Sequence, residues 1–234
     1  LSWSEFSEAV FNERALAAYQ LTMGASFLAA LINLVIGLLI AWVLVRYSFP
    51  GKQIFDALVD LPFALPTAVA GLVYSSLYVK KGWLGQFLVP LGFQGSYSRT
   101  AVVLVLIFVS FPFVVRTVQP VIEDLDADVE EAAACLGANR LQTFTRVILP
   151  TITPALITGF ALAFARAIGE YGSVVFVSGN MPYKTEIAPV LVVSNLEAFQ
   201  YKQAAAVAVA LLVLSFSALL MINILERWSR RKYV

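Results

Sequence analysis

The stretch EDLDADVEEAAACLGANRLQTFTRVILP, residues 123–150, is a polar interval in a chain that is otherwise strongly apolar. It opens with six acids, Glu123, Asp124, Asp126, Asp128, Glu130 and Glu131, and closes on a proline. Capping chemistry divides it in two. Asp128 with Glu131 three residues on forms a capping-box pattern, acids favour the positive start of a helix, and Gly137 is a natural stop after VEEAAACL. Asn139 with Gln142 repeats the pattern and opens a second helix, RLQTFTRVIL, whose end the spacing places near Pro150. Thr153 and Pro154 then read as the cap and first turn of the next element. The interval is a helix, a glycine corner and a second helix. A bare connector is usually a few residues long, so an ordered hairpin of this length reads as a surface offered to something soluble, or as a solvated pair of interfacial helices. Ala132, Ala133 and Ala134 permit close helix approach, and Leu136, Ala138 and Leu141 form a small apolar tip.

Outside this interval the solvent is lipid. The 234 residues are 60% hydrophobic and only 13% charged, and mean hydropathy is +0.82, whereas roughly a quarter of the residues of a soluble domain are charged. Five apolar segments, 19–45, 58–79, 100–119, 151–178 and 203–226, approach or exceed the roughly 20 residues that cross a bilayer. Backbone amides in lipid must be satisfied internally, and continuous apolar runs fit helices, not the alternating strands of a barrel. The fold class that follows is all-α, a polytopic membrane helical bundle in a single transmembrane domain over 1–234, with the hairpin as its loop at 121–150.

Lysine and arginine set the orientation. Arg46, Lys52, Arg116, Arg140, Arg146, Arg227, Arg230, Arg231 and Lys232 fall on one side, nine in all, against six on the other: Arg14, Lys80, Lys81, Arg99, Lys184 and Lys202. The first side reads as cytoplasmic, and with it the hairpin and the C-terminus. Residues 1–18 then begin outside without a signal segment, which predicts a further span ahead of them and six in the full protein.

Composition also excludes functions. Net charge is +1, with no histidine and the single cysteine Cys135. A global basic field for nucleic acid, an intrachain disulfide, a metal site of the usual ligands and triad catalysis are all unsupported. The chain carries no G-x-x-x-x-G-K-[ST] nucleotide loop either.

The spacing in the hairpin resembles a known family. Glu131, Ala132 and Ala133, then Gly137, then nine residues, Val147, Leu149 and Pro150 resemble the EAA loop of importer-type ABC permeases, with valine where isoleucine is commoner. VRYSFPGKQIFDALVDLPFALPTAVAGLVY at 45–74 and FARAIGEYGSVVFVSGNMP at 164–182 resemble the permeases for sulfate, thiosulfate and molybdate, the sulfate branch most of all, across nearly the whole chain. The resemblance implies an ABC type I importer permease fold in the bacterial plasma (inner) membrane. It implies that the hairpin is a coupling helix docking on one of two ATP-binding cassette ATPase subunits, with Glu131, Ala132, Ala133, Leu136, Gly137, Ala138, Leu149 and Pro150 as the coupling residues. ATP and Mg would be bound by those partners, with no cofactor in this chain. A homologous sibling permease, making a heterodimer for sulfate or a homodimer for molybdate, and a periplasmic or surface sulfate-binding protein complete the implied assembly.

Charge inside a span is costly and marks structure or function. Arg166 and Glu170 stand four apart and can pair on one helical face. The pair reads either as a strut between helices or as a positive point on an anion path, with Glu170 preventing capture of the dianion. Ala161, Ala165, Gly169 and Ser173 form a small-residue row suited to a subunit seam. Gly169 and Gly172 around Glu170 read as a gate hinge or as packing slack. Pro62 and Pro66 predict a kinked span, beside a water-filled path or simply bent. Asp56 and Asp60 read as solvated charges at the membrane edge, Trp83 and Phe87 as headgroup aromatics, and 179–202 partly as a re-entrant or surface helix. Two other classes remain at this point: a self-sufficient secondary carrier, which would need intramembrane acids and two related halves, and a membrane scaffold.

Overall fold

The structure, a computed structural model, describes residues 2–233, with side chains described through residue 224. The basic tail that anchors the orientation argument, Arg227, Arg230, Arg231 and Lys232, lies outside the described side chains. Among the described residues every regular element is helical.

α1 (Trp3–Phe11) begins with a reciprocal capping box between Ser2 and Glu5 and stops at Asn12, whose side chain accepts from the Ala15 amide and starts α2 (Glu13–Arg46). α1 lies against the chain's other helices through Ala9 and Val10, which join Ala15, Ala18, Leu191, Ala206 and Val207. α2 is the longest unbroken apolar helix. With α7 (Arg99–Glu123) and α10 (Leu149–Ile168) it makes the central trio. Their seams are made by glycine: a Cβ on Gly37 would stand 2.7 Å from the Val114 Cβ, and one on Gly159 would stand 3.1 Å from the Val114 Cα. Fully buried Asn33 donates to Ser110 Oγ at 2.9 Å and to the Ile107 carbonyl at 3.1 Å, a polar tie worth having where no water competes. Large apolar residues such as Leu39, Val35, Leu212 and Phe216 point outward, as a lipid solvent requires and water would penalise.

Four of the five apolar segments contain one helix long and apolar enough to cross a membrane, over 13–46, 99–123, 140–168 and 201–224. The segment 58–79 is instead delivered in pieces: α3 (Lys52–Val59), α4 (Leu61–Ala64) and α5 (Thr67–Tyr78). Leu65 before Pro66 is extended, φ −87° and ψ 131°, because the proline ring disfavours the helical region for its predecessor. Pro62 costs nothing comparable, since it sits in the first turn of α4, where its missing amide would have no helical partner. After α5, α6 (Gly85–Leu88) and a 3-10 turn at Val89–Leu91 lead to α7.

The hairpin and the next span differ from the sequence reading at three points. α8 (Ala127–Cys135) is capped by Asp126, whose carboxylate accepts from the Asp128 amide, and not by Asp128. α9 (Arg140–Thr143) does not end at Pro150. It runs through a π-helical turn at Phe144–Ile148 into α10, making a continuous helix from 140 to 168. The Leu149 amide reaches back to the Phe144 carbonyl, so the widened turn shifts the register just where Pro150 supplies no amide. Thr153 and Pro154 lie inside α10, with the Thr153 hydroxyl donating to the Leu149 carbonyl. The same helix ends at Gly169, earlier than the apolar run suggested. A bend and the one-turn α11 (Val174–Val177) follow, then α12 (Ala188–Glu197) and α13 (Tyr201–Tyr233). The half-buried ten-residue α12 lies within 179–202, where a short re-entrant or surface helix was anticipated.

Candidate functional site

The corner of the hairpin is built from backbone geometry that only glycine adopts readily. Gly137 has φ +82°. Its amide donates to the Ala134 carbonyl at 2.9 Å, while the Ala138 amide donates to the Ala133 carbonyl at 3.0 Å. These are the two bonds of a Schellman ending. Asn139 and Gln142 then exchange bonds of 2.9 Å in both directions, as their spacing predicted. Around this corner the chain offers apolar side chains to solvent: Leu136 is 89% exposed and Leu141 71%. Glu131, Ala132 and Cys135 are exposed as well, Ala138 is half-buried, and Ala133 alone of the motif turns inward. Leu149 and Pro150, half-buried, belong to the root of α10.

The base of the hairpin is held. Arg46, in the last turn of α2, forms an ion pair with Glu130. Its guanidinium lies 5.2 Å from the Trp42 ring centre, and that ring meets Phe144 edge to face at 5.8 Å. The corner is thus anchored at its base and carries an apolar tip open to solvent, an arrangement unfavourable in water unless something covers it.

The second cluster lies where α10 ends. Arg166 Nη1 stands 2.6 Å from Glu170 Oε2, with the side chains 30% and 2% exposed. The pair forms, but not along one helix, because Gly169 closes α10 and Glu170 follows it. Glu170 uses its other oxygen, Oε1, to accept from the Ser173 amide and the Ser173 hydroxyl, both at 2.8 Å. The carboxylate is therefore fully employed, and it fixes the bend. Arg166 is not: among the described residues this ion pair is its one polar contact.

Gly172 is packed, not slack, since a Cβ there would lie 2.3 Å from Thr67 Oγ1. Gly71 of α5 meets the same bend, and its Cβ would stand 2.4 Å from the Ser173 carbonyl oxygen. Gly169 is exposed with open space about it, so it marks a helix end and takes no part in a tight seam within the chain. Ala165 and Gly169 line an apolar groove of about 520 Å3 with α12 and α13. Pro62 is buried and Pro66 exposed. Beside this break, Leu61, Leu65, Val69 and Tyr74 line an apolar groove of about 590 Å3.

Three arginines form ion pairs that escaped the sequence reading. Asp56 and Asp60 are not free edge charges. Arg116 of α7 takes both, donating from Nε and Nη2 to Asp60 at 2.8 and 2.7 Å, from Nη1 to Asp56 at 2.7 Å, and further to Gln119 and the Asp56 carbonyl. Two acids four apart facing an arginine bracketed by Pro112 and Pro120 in an apolar run was the available signal. Arg14 forks onto Glu186 with two bonds of 2.7 Å, and Arg46 pairs with Glu130. Neither has a local sequence signature, because the partners lie far apart in the chain. The arginines differ: Arg116 and Arg14 are bound by carboxylate forks, while among the described residues Arg166 pairs only with Glu170.

The whole chain resembles known transport proteins. The family of binding-protein-dependent transport system inner membrane components matches residues 17–231. A probable sulfate transport system permease protein, cysT, of Nephroselmis olivacea is 51% identical over 233 residues, 100% of this chain and 82% of the relative. The sulfate transport system permease protein CysT of Salmonella typhimurium is 47% identical over 232 residues, 99% of this chain and 84% of that one. Among solved structures, a bacterial ABC transporter involved in the import of the acidic polysaccharide alginate superposes with a TM-score of 0.78 over 97% of this chain and 84% of its own, at 19% identity. That likeness concerns the fold.

Proposed function

This chain belongs to the family of binding-protein-dependent transport system inner membrane components, and we propose on that footing that it is the membrane-spanning subunit of an ATP-driven sulfate importer. The observation that carries the coupling is the anchored, glycine-cornered hairpin with Leu136 and Leu141 exposed at its tip. Two ATPase subunits bind ATP and Mg, and one takes the hairpin, through Glu131, Ala132, Ala133, Leu136, Gly137 and Ala138. Leu149 and Pro150 carry its motion onward. The hairpin, and with it the C-terminus, faces the cytoplasm of a bacterial cell. A sibling permease completes the path, and a binding protein delivers the anion to the opposite face.

Because the second helix of the hairpin does not stop at Pro150, displacement of the corner is delivered along about 44 Å of continuous helix, from Arg140 to Ile168. Arg166 stands at the end of that rod. Closure of the ATPases shifts the population between inward-open and outward-open arrangements. In each, Arg166 presents its spare donors to the path, and Glu170 reduces its net charge so that a dianion passes without being trapped. An arginine fork suits the paired oxygens of a tetrahedral oxyanion.

Arg166→Gln tests the reading in the reconstituted transporter. Uptake of labelled sulfate should fall at least tenfold while the ATPase still co-purifies, and Arg166→Lys should retain part of it. Unchanged uptake in Arg166→Gln would assign the pair to a structural strut.

A further inference from the structure

We propose that α2 is a second transmission strut, relaying displacement of the hairpin to the loop 179–187 at the far end of the bundle. This rests on the coupling reading above and adds an element that reading does not contain.

Both ends of α2 are clasped by an arginine and a glutamate from elsewhere in the chain. At the hairpin end, Arg46 holds Glu130 on the first helix of the hairpin, and Trp42 holds Phe144 on the second. α2 therefore grips both arms. At the far end, Arg14 in the first turn donates from Nε and Nη2 to the two oxygens of Glu186, whose side chain is 2% exposed. One turn pair further along, the Thr22 hydroxyl accepts from the Ala188 amide at 2.8 Å. The loop so held follows directly on α11, the turn that begins at the Glu170–Ser173 bend. What is pulled at its base is thus adjacent to the site of Arg166.

Within the central trio, α2 alone is free of proline. Its 34 residues span about 50 Å. α7 carries Pro112 and Pro120, and α10 is entered through a π turn and contains Pro154, features at which helices bend. Gly37, one of two glycines in α2, is pinned against Val114. A rod of this kind, tied to one moving part and one loop, passes displacement with less loss than α7 or α10.

The test uses the complete transporter in lipid vesicles with its binding protein. Arg46→Glu and Glu130→Arg are compared singly and as the swapped double, with Arg14→Glu, Glu186→Arg and their double at the other end. Labels placed by Lys184→Cys and Lys202→Cys, in a Cys135→Ser background, report the nucleotide-dependent movement of the loop. Each single reversal should keep the ATPase bound, lower binding-protein-stimulated hydrolysis tenfold or more, and abolish the change in the 184–202 distance. Each swapped double should restore both, and Arg46→Lys should retain part. A wild-type distance change in the single reversals overturns the proposal, and so does a swap that restores neither readout. Gly137→Val separates the two levels: if it releases the ATPase while Arg46→Glu alters nothing, only the strut fails, whereas continued ATPase binding in Gly137→Val defeats the coupling reading beneath it.

Discussion

Replacing Gly137 is the most discriminating perturbation of the hairpin, because the structure separates its two roles. The residue sits at φ +82°, and a Cβ built on it meets nothing within 4 Å. Alanine therefore costs backbone strain alone, roughly 1–2 kcal/mol for an L-residue in the left-handed region, and causes no collision inside the chain. Were all of that strain relieved in the undocked hairpin, the affinity of the ATPase would fall by about 5- to 30-fold, at 1.4 kcal/mol per tenfold. Asparagine accepts the left-handed region more readily, so Gly137→Asn should bind within a few-fold of the native protein if backbone shape is what matters. Valine is β-branched and should open the corner. The assay is ATPase affinity in detergent, measured alongside thermal unfolding of the permease without ATPase. Unfolding should be unchanged across the series, since an added Cβ meets no atom of the bundle. Native affinity in Gly137→Ala would refute the assignment of the corner to the interface. A loss in Gly137→Asn equal to that in Gly137→Val would shift the explanation from strain to close approach of the partner's surface.

Other outcomes follow from the same structure. Asn139→Ala removes the reciprocal cap of α9 and should cost about 0.5–2 kcal/mol locally, seen as faster amide exchange over 140–143 with little change in global melting. Gly71→Ala forces a Cβ to 2.4 Å from the Ser173 carbonyl; overpacking of this kind costs about 1–3 kcal/mol, so melting should fall and uptake with it, and a neutral result would show that α5 and the bend part easily. Arg116→Met leaves Asp56 and Asp60 facing each other without their cation and should lower the melting temperature, whereas adding Asp56→Asn and Asp60→Asn should recover most of the loss. Each pair is partly solvated, the acids being 40% and 50% exposed, so neutralising Asp60 alone should cost no more than about 1 kcal/mol.

Local chemistry was legible in the sequence and distant pairing was not. The glycine corner, the Asn139–Gln142 exchange and the apolar tip follow from short-range backbone rules, and the structure reproduces them. The apolar runs gave the all-helical bundle, but not where helices stop inside lipid. Hydropathy does not register that Leu65 must be extended before Pro66, or that Gly169 closes α10 one residue before Glu170. Pro150 misled for the opposite reason, since a π turn absorbs a missing amide that an ordinary helix would not. The Arg166–Glu170 pair was readable as a spacing of four, although its setting at a helix end was not. Arg116 with Asp56 and Asp60 needed knowledge that α3 folds back on α7, and Arg14 with Glu186 spans 172 residues of sequence. The resemblance of the EAA loop named the family that the comparisons bear out. It could not say that the second arm of the hairpin and α10 form one continuous helix, from Arg140 to Ile168.

The central claim is tested most directly by transport itself. This chain, its sibling permease and the ATPase are placed in vesicles with ATP on the hairpin side and the binding protein on the other. Labelled sulfate should accumulate only when ATP and the binding protein are both present, and should cease to do so in Gly137→Val. Accumulation by this chain alone, driven by an ion gradient, or uptake of molybdate to the exclusion of sulfate, would contradict the account.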